Sequence, residues 1–207
     1  MNVFLYASVT KLTSDQMETI RVANNIGNNI VTSDKKKLGK VLASIVLNES
    51  NAGNFLIDKY EDYYYILNNS HKVQIQPTSS KRILYNNEYK KVFIIKNRKQ
   101  PLRNCSFGDY QIKISTAEIM INTKPELEQF KGLLKDKILL VHQLQTNQFL
   151  SAEIAGSYLK DRYELAKKLH YRDPLKAAIS SYNGGWVNTK YYNKYLNSRK
   201  IALSVIK

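Results

Sequence analysis

Glu49 is the residue whose setting points most directly to chemistry. Leu38, Val41, Leu42, Ile45 and Val46 recur at i, i+3, i+4, i+7 and i+8, the spacing of one buried helical face. The next position on that face is Glu49. The pattern predicts a carboxyl group on an apolar stripe at the C-terminal end of its helix. Two effects there disfavour the ionised form: removal from water, and the partial negative charge of a helix C-terminus. A carboxylic acid kept protonated near neutral pH can donate to a poor leaving group as a general acid. The stripe alone leaves a second reading open, in which the helix end frays and Glu49 turns into solvent.

Other chemistries have less to work with. The single Cys105 excludes an intramolecular disulfide and a multi-cysteine zinc site. His71, His142 and His170 are scattered, so neither a histidine metal cluster nor a metal or other cofactor is expected. No apolar run approaches the roughly 18–20 residues that span a bilayer. Met1–Thr10 has no basic start, and its apolar run is short and broken by Ser8 and Thr10, so it does not read as a secretory signal.

The 207 residues carry 32 Lys+Arg against 17 Asp+Glu, a formal charge of +15 that attracts polyanions. The abundance of Lys, Asn, Ile and Tyr is also what an AT-rich genome produces, so compositional bias and a selected basic face both account for it. A nucleic-acid-binding protein without catalysis is the competing class. Its support is the charge, the 15 Tyr available for stacking, and Lys90, Lys91, Lys96, Arg98 and Lys99 in one region. Against it, no recognised binding motif is present and the basic residues are spread along the chain.

The elements that must position Glu49 are mostly helical. Thr13-Ser14-Asp15 with Glu18 reads as a helix start, followed by Met17, Ile20, Ala23, Ile26 and Ile30 at helical spacing. Ser33-Asp34 is a second cap candidate. Helical periodicity fades over 60–104. There Val73 and Ile75 alternate with polar residues, and Arg82–Tyr85 and Glu88–Ile95 flank Asn86-Asn87 as a β-hairpin.

Helix returns from Ser115. Pro125 opens a long stripe through Leu127, Phe130, Leu134, Ile138, Val141 and Leu144. Another helix is expected from about Asn147 to Leu169. Asp173-Pro174 starts the next, which Gly184-Gly185 ends. A basic, Tyr-rich helix over Thr189–Ser198 follows. The expected class is therefore mainly α (α+β): one helical domain over 1–207, with an insertion at about 60–104 carrying a small β-hairpin.

Five segments, in order, resemble the lytic transglycosylases and goose-type lysozymes. Ile45–Ser50 resembles an apolar helix ending in Glu-Ser. Gly108–Ile112 resembles a Gly-x-x-Gln-Ile segment, and Thr116-Ala117 the Thr-Ala after it. Ala155–Leu159 resembles an Ala-Gly-x-Tyr-Leu helix. Ala177–Gly185, with Tyr182-Asn183-Gly184-Gly185 at its end, resembles an Ala-x-x-Tyr-Asn-x-Gly ending. The resemblance covers roughly 35–60 and 105–190. Two departures stand out: the stretch from Ser50 to Gly108 is long for the family, and Asp109 and Tyr110 fall where apolar residues are usual.

The resemblance implies a lysozyme-like helical domain that cleaves the MurNAc-β-1,4-GlcNAc bond of peptidoglycan, with Glu49 as the acid that protonates the leaving oxygen. In a lytic transglycosylase the same carboxylate then acts as base on the sugar's own 6-hydroxyl, giving a 1,6-anhydro-muropeptide. In a goose-type lysozyme an Asp orients a water instead, and Asp58, Asp62 and Asp109, with Glu61 a fainter candidate, are the acids here. Ser50, Gly108, Tyr110, Gln111, Ile112, Tyr182 and Asn183 are the implied substrate contacts, and the insertion is expected to border the cleft. The expected partner is a glycan strand met by a monomer at the bacterial wall or periplasm. Such a protein is made in the cytoplasm as a phage-type lysis enzyme or exported by another route.

Overall fold

The computed structural model describes residues 12–50, 74–77, 82–86, 91–95 and 106–206. The chain is mainly helical, with small antiparallel sheets. Helix α1 spans Ser14–Asn29 and α2 spans Gly39–Ser50. Strands β1 (Gln74–Pro77), β2 (Arg82–Asn86) and β3 (Lys91–Ile95) form one antiparallel sheet. Strands β4 (Ser106–Phe107) and β5 (Ile112–Lys113) form a second. They lead into α3 (Ile114–Thr123), a 3₁₀ segment (Pro125–Lys135), α4 (Lys137–Thr146), α5 (Gln148–Lys168), α6 (Pro174–Tyr182) and α7 (Thr189–Val205).

Helix α2 is the hub, packed by α1, α5 and α7. The sequence pattern predicted one buried face, but Val41 to Asn48 are all buried. A helix apolar around most of its circumference belongs in a core rather than at a surface. Leu38 lies just before the helix, where its carbonyl accepts from the Leu42 amide at 2.8 Å. Gly27 of α1 faces Gly39 of α2 so closely that an added Cβ would come 2.7 Å from the Gly39 Cα. Two glycines at one crossing let the helix backbones meet.

Local capping chemistry accounts for most of the other boundaries. Thr13 caps α1 in a capping box whose return donor–acceptor partner is Gln16 rather than Glu18. Asn147 caps α5 and Asp173 caps α6, with Pro174 in the first turn.

Ser33-Asp34 does not cap α2. It lies in a turn closed by the Val31–Lys37 bridge, where Asp34 accepts from Thr32 Oγ1 at 2.7 Å and from the Tyr163 hydroxyl at 2.7 Å. The long stripe expected after Pro125 is broken in two. Asp136 adopts an extended backbone, and its carboxylate accepts from the Leu139 amide, so a cap residue divides the 3₁₀ segment from α4. Helix α7 runs past Ser198 to Val205.

The expected hairpin is present as β2 and β3, with Arg82 opposite Ile95. Asn86 is a strand residue paired with Lys91, not part of the turn, and β1 adds a third strand. The rest of the 60–104 stretch lies outside the described residues. Among the described residues, no helix is long and apolar enough to cross a membrane.

Candidate functional site

A groove of about 490 Å³ opens beside the C-terminal end of α2. Glu49 forms part of its wall and is half-buried. The remaining lining comes from three places in the chain. Ser106, Gln111, Ile112 and Lys113 come from the β4–β5 hairpin, and Ser115 and Thr116 from the start of α3. Ile154, Ala155, Tyr158 and Arg162 come from one face of α5. Ser181, Tyr182, Asn183 and Gly184 come from the end of α6. Among the described residues, the lining takes up again at Ser106 after Glu49.

Helix α7 holds the acid from behind. The Tyr191 hydroxyl donates a short hydrogen bond to Glu49 Oε1. Burial first, and then the nearby Glu49 charge, push the Tyr191 phenol far above its ordinary value, so it stays protonated and remains a donor. One turn along, Lys194 Nζ donates to the Asn48 carbonyl at 2.5 Å. That ammonium satisfies a carbonyl at the α2 C-terminus and sits at the negative end of the helix dipole. The fraying considered above does not occur: Glu49 lies within the helix and is tied to α7.

The β4–β5 turn presents Gln111 with a positive φ of 49°, a conformation uncommon for a non-glycine residue. Its amide and its side-chain Nε2 both donate to the Gly108 carbonyl at 3.0 Å, which fixes the side chain at the groove wall. Gly108 supplies the other positive φ, 72°, and an added Cβ there would come 2.0 Å from the Leu144 carbonyl oxygen. Its function in the turn is steric fit against α4.

Tyr182 donates its hydroxyl to the Tyr110 carbonyl at 2.9 Å and meets Tyr158 edge to face at 5.7 Å. Burial, then the Glu49 charge, raise the Tyr182 phenol well above its usual range.

Of the residues singled out in the sequence, Glu49, Gln111, Ile112, Tyr182 and Asn183 meet in the groove. Three do not. Ser50 is buried and donates to the Val46 carbonyl at 3.2 Å, a contact within its own helix. Gly108 serves the turn. Tyr110 is buried in the core and contributes only its backbone carbonyl, to Tyr182. Asp109 is half-buried outside the groove lining, and its charge raises the Tyr110 phenol after the larger effect of burial. Asp58, Glu61 and Asp62 lie outside the described residues.

Sequence reasoning missed Tyr191, Arg162 and Lys113. Arg162 follows Tyr158 by four positions on α5, so helical spacing alone would have placed it on the same face. Nothing local marks Tyr191 among its neighbouring tyrosines.

Among the described residues, no group of three or more His, Cys, Asp or Glu is placed to hold a metal ion. No family model, curated protein or solved structure matches this chain.

Proposed function

We propose that this chain is a peptidoglycan-cleaving lytic transglycosylase, with Glu49 as both general acid and general base. The observation that carries the reading is Glu49 itself: a half-buried carboxyl in a groove wall, held through one oxygen by a tyrosine that keeps its proton. Its neighbours fit the task. Gln111 and Asn183 bring amides suited to the N-acetyl groups of a sugar chain, while Tyr158 and Tyr182 give the groove aromatic walls.

In this mechanism the Glu49 proton passes to the bridging glycosidic oxygen as the C1–O bond breaks. The resulting carboxylate accepts the proton of the 6-hydroxyl as that oxygen closes on C1. One acid suffices, and among the described residues Glu49 is the single carboxylate in the groove lining. The positive charge of the chain draws it toward anionic wall polymers, an attraction that salt weakens.

A peptidoglycan zymogram tests the proposal. The chain should clear the gel, and Glu49→Gln should not. Mass spectrometry of the released muropeptides should give products lighter by one water than the hydrolytic ones. Reducing-end products would instead identify a hydrolytic muramidase, and no clearing by the wild-type chain would end the wall-cleaving reading.

A further inference from the structure

Arg162 is built into the groove in a way that the acid chemistry does not use. Its Nε donates to Ser181 Oγ at 2.9 Å, and its guanidinium carbon lies 3.8 Å from the centroid of the Trp186 ring. Trp186 is in turn stacked on Tyr171, with centroids 5.4 Å apart. The guanidinium plane is thus fixed on one face and along one edge. Among the described residues, its two terminal nitrogens have no hydrogen-bond partner, and Arg162 forms no ion pair. A pinned guanidinium fork of this kind matches the two oxygens of a carboxylate. Lys113 adds a second cation to the same groove lining and likewise has no carboxylate partner among the described residues.

We propose that Arg162, with Lys113 adding positive charge, forms a subsite for a carboxylate carried on the glycan chain, so that the groove selects acidic over neutral sugar polymers. This rests on the glycosidase reading and specifies its substrate. The carboxylate has two sources: the lactyl group of a peptide-free strand, or the stem peptide of a substituted one. Neither Arg162 nor Lys113 takes part in the proton transfers assigned to Glu49.

The test is binding, measured by calorimetry at low salt with the Glu49→Gln protein, so that turnover does not intervene. Peptide-free glycan strands are compared with the same strands after methyl esterification, and peptide-bearing strands with their own esters. The unmodified strands should bind roughly tenfold or more tightly than their esters, as expected for a hydrogen-bonded charge pair. Arg162→Gln in the Glu49→Gln background should remove that preference. Arg162→Lys, which keeps the charge and loses the fork, should reduce it, and carries the test if the Gln variant does not fold.

A preference confined to peptide-free strands assigns the lactyl carboxylate. One confined to peptide-bearing strands assigns the stem. Equal binding of strands and esters, or a full preference in a folded Arg162 variant, overturns the subsite while wild-type zymogram clearing leaves the glycosidase reading standing. If no strand binds and the wild type clears nothing, both proposals fall.

Discussion

A tyrosine hydroxyl meets a carboxylate near each end of helix α2, and the two pairs sit in different surroundings. Before the helix, Tyr163 donates to Asp34, with Lys36 Nζ 3.2 Å from the same carboxylate oxygen and Thr32 on the other. At its far end, Tyr191 donates to Glu49 beside the groove.

Asp34 lies at the surface among groups that favour its charge. Tyr163 first, then Thr32, then Lys36 hold its carboxyl well below the ordinary range. This pair fastens a turn to α5. The Glu49 pair instead presents its carboxyl to a half-enclosed space. A carboxylate–tyrosine contact is therefore not by itself a mark of catalysis. The groove beside it, and the residues that reach into that groove, distinguish the two.

The largest expected effect falls on Glu49. Glu49→Gln should lower turnover of peptidoglycan at least about a hundredfold, with an unchanged circular dichroism spectrum, whereas Asp34→Asn should leave turnover at the wild-type level. Equal loss in both variants would erase the distinction. Next comes the tyrosine behind the acid. Tyr191→Phe should reduce kcat by roughly ten- to a hundredfold, the scale of a displaced catalytic group, with KM little changed. Tyr163→Phe should alter melting temperature and not kcat.

A third test moves the helix that carries one pair and adjoins the other. Gly27→Ala places a methyl against the Gly39 backbone and should cost about 1–3 kcal/mol of stability by overpacking, read as a lower urea midpoint. A neutral result would mean that α1 and α2 separate without penalty.

The smallest effect concerns pH. Asp34 has a folded-state pKa below the ordinary value of about 3.9, so the unfolded chain binds its proton more readily than the native one. Its stabilisation is complete above about pH 4 and is lost as pH falls further. Melting temperature should decline below that pH, with a shallower slope in Asp34→Asn. An unchanged slope would remove Asp34 from the account.

Features set by a few adjacent residues were legible in the sequence. Thr13 and Asp173-Pro174 act on amides within one turn, so their capping roles could be read directly, whereas at Asn147 only the approximate start of the helix was read and not the cap. Glu49 was legible through helical register, because the apolar spacing leads to it. Periodicity failed between Pro125 and Leu144, since it follows side-chain spacing and does not register that Asp136 interrupts the backbone to cap α4. Asp34 was misread as a cap for a different reason: its partner Tyr163 lies on α5, far along the chain. Tyr191 and Arg162 were missed on the same ground. Their importance comes from what α7 and α5 approach after folding, and no local pattern encodes that approach.

Glu49 and Tyr191 are separated by 142 positions along the chain. During synthesis, a ribosome-bound intermediate that already displays Glu49 still lacks the hydroxyl that orients it. If the proposed chemistry holds, competence to cut arises only when α7 docks, and a version ending before residue 189 should be catalytically silent even where its earlier helices have formed.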